Sequence, residues 1–485
     1  MPMSMEVTLR SIGLFLALLT MILTSNGFAD AENKPSFPTI QSQDDPNTAP
    51  TNNSQSAVTQ LPSELHDSLK EKQFSIFAQQ KPEDLNIDSI EYALVFSTAN
   101  EKLLHTWITS TLNSQLPLTD PIWGGIYRGI VNKKMDFEKA TATEANALLV
   151  YSEVYAYSQN LTYLLAAEKL MNYIDNFLIS PEGAFYAGQY AYPSVATHNT
   201  NYYQLDDQHR REAGIPPIDE DIFAAENGLA ITGLTHFYMV KGDVAVLEKA
   251  TKAAHWVIDN LSITGGGFRH TKTENNTLYL NDTLAMGNAF LTLYQATANP
   301  EYLNRAINAA QFINTYFQNA DDDVGFITSF EPSNDSDDEQ LDLKASENAD
   351  IVRFTSLLFS YTGDKLFRQM QLNAFHYLMT PEIITNNSPA LLLMAEYRVE
   401  NLPIHITTIG SKNDSNAKNL HKTSLAHAAL YSRIDWWDRK EGSLLNSDAT
   451  YPVLDKSAAY VCQNSQCSLP IYKSQDLIKA LQNRG

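Results

Sequence analysis

From about residue 61 onward, apolar positions recur every three to four residues, the spacing of helices that bury one face. Four stretches share one pattern: YLLAAEKLMNYIDNFLISPEGAFY from Tyr163, VLEKATKAAHWVIDNLSITGGGFR from Val246, YLNRAINAAQFINTYFQNADDDVGFI from Tyr302, and the shorter LFRQMQLNAFHYLM from Leu366. The first three close on a glycine and an aromatic turn, and GGI at 124–126 is an earlier copy. Taken at Ile126, Phe185, Phe268 and Phe326, the turns are 59, 83 and 58 residues apart. The long interval holds a stretch without helical period, 188–217, ending in Pro216-Pro217. Treating about 25 of its residues as an insertion restores a repeat of about 58. A unit of that size accommodates two helices of about 18 residues and their connections. The second helix of each unit is expected near 142–159, 221–241, 280–297 and 347–362, in segments richer in Gly, Ala, Asn and Thr. Small residues suit a crowded inner ring, and the Leu-, Lys- and Glu-rich partners suit an outer one. Roughly 400 residues give six to seven pairs. Six pairs close into a mainly α, (α/α)6 toroid around an axial funnel, and this is the predicted fold.

The pattern changes at both ends. PIHITTIG at 403–410 reads as a strand, a helix is expected near 416–432, SAAYVC reads as a second strand, and SQDLIKALQNR as a final amphipathic helix. Together they predict a small α/β-like tail from about residue 403. At the other end, Arg10, an apolar run at 12–23 and small residues around Ala29 and Ala31 mark a signal peptide over 1–31. The run is too short for a good membrane span, so the mature protein is expected to be exported, periplasmic or secreted, without a stable membrane anchor. Residues 32–61, rich in Ser, Pro, Asn, Gln and Asp, read as a disordered linker. The toroid domain is therefore expected over 62–485, tail included.

Composition narrows the partners. A formal net charge of −22 repels phosphate backbones and disfavours nucleic acid, while neutral or cationic small ligands remain open. Tyr is abundant, at 24 residues, and combines a stacking face with a polar tip. The two cysteines, Cys462 and Cys467, can bridge in an oxidising compartment. Their four-residue spacing is not the CxxC of a low-pKa redox thiol. No HExxH, phosphate-cradling loop or dinucleotide fingerprint is present, so no metal and no cofactor are expected.

Acidic residues recur at the starts of the inner-helix segments: Glu144, Glu226, Asp282, and Glu347 with Asp350. Asn146, Asn227 and Asn348 follow closely. Paired carboxylates divide acid and base roles in sugar chemistry, and carboxylates with amides bind hydroxyls without catalysis. Helix capping explains the same residue types equally well. Glu144, Glu226 and Asp282 are the catalytic candidates. GGIYRG at 124–129 and GGGFRH at 265–270 each offer an aromatic and an arginine after glycines: Tyr127 with Arg128, and Phe268 with Arg269. These are candidates for stacking on a sugar ring and binding a carboxylate or hydroxyl. His236 and His255 lie within helices and read as core or surface residues. His198 and His209 fall in the insertion, a candidate lid over the funnel.

GGIYRG, DFEKATATEANALLVYSEVYA, PEGAFYAGQYA, YLNDTLAMGNAFLTLYQAT and above all AAYVCQNSQCSLP resemble the thioredoxin-domain-containing family related to spermatogenesis-associated proteins. Members join a thioredoxin-like domain to a six-hairpin toroid similar to those of N-acylglucosamine 2-epimerases and several glycoside hydrolases. The resemblance runs from about Asp120 to the C-terminus. The part that would hold the thioredoxin-like domain is taken here by the signal segment and linker. Retained positions are Phe137, Glu138, Lys139, Asn146, Asn227, Gly228 and Asp282. Asp136 stands where the family has His, and Gly188-Gln189-Tyr190 where it has acidic residues. The resemblance adds Asp136, Glu138 and Lys139 to the ligand-binding candidates. The expected function is binding or processing of a carbohydrate-like small molecule or oligosaccharide, by a glycoside hydrolase or an epimerase-like enzyme. The alternatives are a non-catalytic binding protein and a thiol-redox accessory acting through Cys462 and Cys467.

Overall fold

The computed structural model describes residues 60–482, apart from 80–84, 97–101, 132–133, 194–199, 274–276, 320–323, 332–341 and positions 429, 448 and 465. The expected signal peptide and nearly all of the expected linker lie outside the described residues.

Helix α1 (Ser63–Ala78) comes first. Pairs follow: α2 (Ile87–Phe96) with α3 (Lys102–Gln115), and α4 (Thr141–Ser158) with α5 (Leu161–Tyr173). The insertion carries the short α6 (Asp207–Ala213). Then come α7 (Ala224–Lys241) with α8 (Val244–Leu261), α9 (Leu280–Thr297) with α10 (Pro300–Tyr316), and α11 (Ala345–Thr362) with α12 (Lys365–Leu378). The short α13 (Pro381–Asn386) leads to α14 (Pro389–Glu400). Helices α2, α4, α7, α9, α11 and α14 pack side by side in that order, and α14 returns to α2. Helices α5, α8, α10 and α12 lie against the inner helix just before them, α3 lies against α2, and α1 covers α14. The chain is an (α/α)6 toroid, and its sixth hairpin is made from the two ends of the ring. Leu61 and His66 at the start of α1 lock that closure by hydrogen bonding to Glu396 of α14, at 2.8 and 2.5 Å.

The small residues of the inner ring have a steric cause. A Cβ on Gly228 of α7 would stand 2.6 Å from the backbone of Ala285 in α9, and one on Gly233 would stand 2.6 Å from the Ala145 carbonyl of α4. Four of the inner helices, α4, α7, α9 and α11, turn into their outer partners through two residues: a left-handed Gln159, Gly242, Ala298 or Gly363, then Asn160, Asp243, Asn299 or Asp364. The second residue caps the outer helix through its side chain.

At the opposite end of the inner helices, the Gly-apolar turns form a ring of stitches. The side chain at the fourth position of an inner helix accepts the backbone N–H of the preceding turn: Glu144 from Ile126, Asn227 from Phe185, Thr283 from Phe268 and Asn348 from Phe326. Asn227 and Asn348 also donate back to the same residue's carbonyl. Two residues further along, the turn's carbonyl accepts the first N–H of the neighbouring inner helix: Ala187 from Thr141, His270 from Ala224, Thr328 from Leu280. Short strands continue these turns around the mouth. They are the hairpin β1 (Gly129–Val131) with β2 (Lys134–Asp136), the sheet of β3 (Lys139–Ala140), β4 (Gly188–Gln189) and β5 (Ile218–Asp219), and the pair β6 (Leu278–Tyr279) with β7 (Ser329–Phe330).

The tail is β8 (Ile404–Ile409), α15 (Ser415–His427), β9 (Ser432–Trp437), β10 (Ala458–Gln463), β11 (Gln466–Cys467) and α16 (Ser474–Gln482), in a sheet ordered β11-β10-β8-β9. The expected helix at 416–432 stops at His427 because SRIDWW forms β9, parallel to β8, with α15 as the crossover. That strand was hidden by Arg433 and Asp435, whose charges are paired with each other inside the sheet at 2.7 Å. The tail covers the C-terminal ends of α9 and α11. Tyr294 donates to Asp435 at 2.9 Å, Gln295 to the Ser432 carbonyl, and Arg433 to the Ser360 carbonyl.

Asn227 satisfies two buried backbone groups, so Asn227→Ala strands both. The expected loss is about 3 kcal/mol in denaturant unfolding. A loss below about 1 kcal/mol, within the range of one ordinary hydrogen bond, would show that the stitch is dispensable.

Candidate functional site

The residues left accessible on the inner helices form stripes spaced three to four apart, with one seven-residue step on α9. They are Asn146 and Leu149 on α4, then Glu226, Leu229, Thr232 and His236 on α7. On α9 they are Asn281 and Asn288, and on α11 Ser346, Asp350, Arg353 and Leu357. The other faces of these helices are largely buried, so the stripes line the axis of the ring.

Midway along that axis lies a polar floor assembled from five helices. Arg353 of α11 reaches Asp88 and Glu91 of α2, each at 3.0 Å, and also pairs with Asp350. Arg398 of α14 meets Glu91 at 2.6 Å. His236 of α7 faces Glu153 of α4 at 3.8 Å. Burial alone would raise the Glu91 carboxyl, but Arg353 and Arg398 outweigh it and hold it well below the ordinary range. Burial and the neighbouring Glu91 charge push Glu153 up, and burial pulls His236 down to about 4, so both are neutral at pH 7. Asp350 keeps 43 % of its side chain accessible, yet the protein around it raises its carboxyl to about 6. The two guanidiniums face three carboxyl groups, of Asp88, Glu91 and Asp350, so the floor has no surplus positive charge with which to select an anion.

The mouth holds a second cluster. His270, in the turn before α9, places Nδ1 3.0 Å from the carboxylate of Asp282, which is fully buried. The imidazole stacks on Phe223, with ring centroids 4.5 Å apart, and meets the edge of Tyr279. Asp282 also accepts the Ala225 N–H, fixing the start of α7 against α9. Glu226, one residue further along α7, has a carboxyl raised chiefly by burial and then by the Asp282 charge, with His270 partly offsetting. An ionised Asp accepting from Nδ1–H fixes the tautomer in which Nε2 is the basic nitrogen. Ten residues of helix separate Glu226 from His236, so mouth and floor lie about 15 Å apart along the axis.

Several residues expected on the cavity instead build its wall. Glu144 is fully buried, with one oxygen on the Ile126 N–H at 2.8 Å. Asn227 is fully buried on Phe185. Phe268 packs on Phe290 in the core, and Tyr127 is buried against Phe137 and Tyr203, so neither ring face is open for stacking. Lys139 is buried in an ion pair with Asp120 at 2.9 Å, and Asp120 also takes Arg210 of α6 at 2.7 Å. Through Arg210, and through Tyr203 stacked 3.9 Å from Phe137, the insertion is bolted to the toroid and contains a helix that the sequence did not suggest. Arg128, exposed, pairs with Glu138 at 3.1 Å and Asp136 at 3.6 Å across the base of the β1–β2 hairpin. Asn146 lies on the axial stripe, Arg269 is exposed, and Glu347 is half-buried beside Lys344 at 3.6 Å. The floor residues Asp88, Glu91, Glu153, Arg353 and Arg398 were not singled out from the sequence, and His236 was read as core or surface.

A groove of about 660 Å³ lies on the outer side of the ring, between Trp123, Phe177, Lys169 and Arg211. Its Asp120, Asp207 and Arg211 are already paired, which makes it a poorer candidate than the axis. Among the described residues, no group of three His, Cys, Asp or Glu side chains is placed to hold a metal ion, and no helix is long and apolar enough to cross a membrane.

No family model matches the chain, and no curated protein matches it. Solved structures similar to it include the cellobiose 2-epimerase from Bacillus thermoamylovorans, at 12 % identity over 60 % of this chain and 73 % of that one, with a TM-score of 0.46. A sugar epimerase from a ruminal bacterium is 11 % identical over 64 % of this chain and 85 % of that one, with a TM-score of 0.47. A family 76 glycoside hydrolase (mannosidase) from Bacteroides thetaiotaomicron is 14 % identical over 56 % and 70 %, with a TM-score of 0.43.

Burial lifts the Glu144 carboxyl to about 8 from an ordinary 4.5, and Lys139 offsets this only in part. The folded state therefore binds this proton more tightly than the unfolded chain. Stability from the site is complete below about 4.5 and is lost as pH rises through about 8. Glu144→Gln imitates the protonated form. It should melt with the wild type near pH 5 and above it near pH 9, both being approximate test points on either side of the transition. Equal melting temperatures at both would mean that Glu144 is ionised in the fold.

Proposed function

We propose that the ring binds a neutral polyhydroxylated ligand of the carbohydrate class along its axis and transfers protons on it at the mouth through His270. The supporting observation is the Asp282–His270 pair: a fully buried carboxylate 3.0 Å from Nδ1, on an imidazole clamped by Phe223 and Tyr279. Asp282 is then the positioning residue, His270 the base, and Glu226, whose carboxyl burial shifts upward, the acid beside it. A floor without surplus positive charge and the amide-bearing stripe of Asn146, Asn281 and Asn288 suit hydroxyl groups. Proton transfer of this kind fits an epimerase or isomerase better than a hydrolase. The Glu144 carboxyl is fully buried, and both Asp282 oxygens are engaged, so two of the three carboxylates proposed from the sequence are committed to the wall. Export to a periplasm or the medium is part of the proposal. N-terminal mapping of the secreted protein should place its first residue near position 31.

The test is incubation of the mature chain with a panel of mono- and oligosaccharides, with products resolved by chromatography and NMR. His270→Ala should lower turnover by about 10²–10⁴-fold. Asp282→Asn keeps an acceptor for the Ala225 N–H but offers a donor to His270, moving the imidazole proton to Nε2, and should lose activity comparably while melting near the wild type. Products that persist in both variants overturn the assignment of His270. Ligand-dependent thermal stabilisation without any product would make the protein a binder on this scaffold.

A further inference from the structure

Cys462 and Cys467 form a disulfide across the β10–β11 hairpin at the edge of the tail sheet, where they are directly paired in register. The two sulfurs have different surroundings. Cys462 is 5 % exposed and packs with Tyr451, Ala458 and Tyr460. Cys467 is exposed, and two residues on, Leu469 is 85 % exposed. The loop closed is short, so the cross-link contributes little through chain entropy.

The buried sulfur is served by a directed chain of hydrogen bonds. The Tyr451 hydroxyl lies 3.9 Å from Cys462 Sγ. A disulfide sulfur carries no hydrogen, so the phenol is the donor. The contact between Thr407 Oγ1 and the Tyr451 oxygen, 2.8 Å, is then donated by Thr407. Thr407 Oγ1 is in turn 2.8 Å from His405 Nε2, which lies 2.9 Å from Asp435. A neutral disulfide sulfur is a weak acceptor and gains little from such a donor, whereas a thiolate gains much more.

We infer that this disulfide is a thiol-exchange site, entered at Cys467 and opened with Cys462 as the leaving thiolate. A thiolate of a dithiol reductant attacks Cys467 Sγ, forming a mixed disulfide as the Cys462–Cys467 bond breaks. The electron pair leaves on Cys462 and is held by the Tyr451 O–H. The reductant's second thiol, as thiolate, then attacks the mixed disulfide, closes the reductant's own disulfide and releases Cys467 as a thiolate. Two electrons pass from the dithiol to the cysteine pair, and each cysteine thiolate takes up a proton according to its pKa. A stabilised leaving thiolate speeds the first step.

The experiment uses the full chain. Glutathione adducts are trapped by acid quench and mapped by mass spectrometry, and the opening rate with dithiothreitol is followed by alkylation. The adduct should form on Cys467. Tyr451→Phe should slow opening by about tenfold, the value of one hydrogen bond to the leaving sulfur, and raise the Cys462 thiol pKa measured by alkylation against pH. Thr407→Val, which removes the donor to Tyr451, should shift both readouts in the same direction and serves if Tyr451→Phe does not fold. Adducts on Cys462, or wild-type opening rates and thiol pKa values in the variants, overturn the inference.

Discussion

Everything at the mouth of this toroid depends on how four inner helices that lack side-chain N-caps, α4, α7, α9 and α11, are tied to the turns around them. In α4, α7, α9 and α11 the capping residues are Ala140, Phe223, Tyr279 and Lys344, and none contributes a capping side chain. In α4, α7 and α9 the first N–H is taken instead by a carbonyl of the neighbouring unit's turn, and each of the turns before α7, α9 and α11 is held by a side chain at the fourth position of the helix that follows it. Leaving these groups bare in a dry interior costs about 1–3 kcal/mol each, so the turns cannot drift independently. Helix, turn and neighbouring helix form one linked chain from α4 through α7 and α9 to α11.

That constraint divides the polar residues at the mouth into two sets. Glu144, Asn227, Thr283 and Asn348 are consumed by the stitches and face the wall. Asp282 stands one residue before the stitching position, at the third residue of α9, and does two jobs: one oxygen accepts the Ala225 N–H, and the carboxylate orients His270. His270 itself belongs to the stitch, since its carbonyl accepts the Ala224 N–H. Its backbone is thus fixed by the ring, while its side chain is clamped between Phe223, Tyr279 and Asp282. A side chain held this way has little conformational entropy left to lose, which is how a scaffold supplies preorganisation.

The sequence carried the architecture well because the repeat is enforced sterically and by backbone hydrogen bonding. The turns at Ile126, Phe185, Phe268 and Phe326 are spaced as they are because each must reach the same position of the next helix. The inner-helix boundaries read from the sequence fall within three residues of α4, α7, α9 and α11. The site was less legible. Asn227 and Asn146 look alike in sequence, yet one is stitched into the wall and the other lines the axis, a difference of helix face that requires the register against the neighbours. Glu91, Arg353 and Arg398 come from three helices more than 40 residues apart in sequence, at the seam where the ring closes, and no local pattern marks them. A signal for His236 was available: it continues the three-to-four-residue spacing of Glu226, Leu229 and Thr232 along one stripe of α7.

The two ends of the ring are finished differently, and this bears on where chemistry can occur. At the C-terminal ends of the inner helices, the tail sheet seals α9 and α11 with a buried network around Asp435. Burial alone would raise that carboxyl, but Arg433 and His405 hold it near 2. A carboxylate so strongly stabilised as an anion is a poor base, and its Tyr294 and Arg433 contacts bind the tail to the ring rather than to a ligand. At the N-terminal ends, by contrast, Glu226 and Glu347 are shifted upward by burial and Glu144 reaches about 8. Burial thus shifts three carboxyls upward at the N-terminal ends, whereas Asp435 at the sealed end is held as a strongly stabilised anion. Proton exchange with a bound molecule needs groups whose two protonation states are close in free energy. By that criterion the mouth suits the acid–base role proposed for His270 better than the sealed end does.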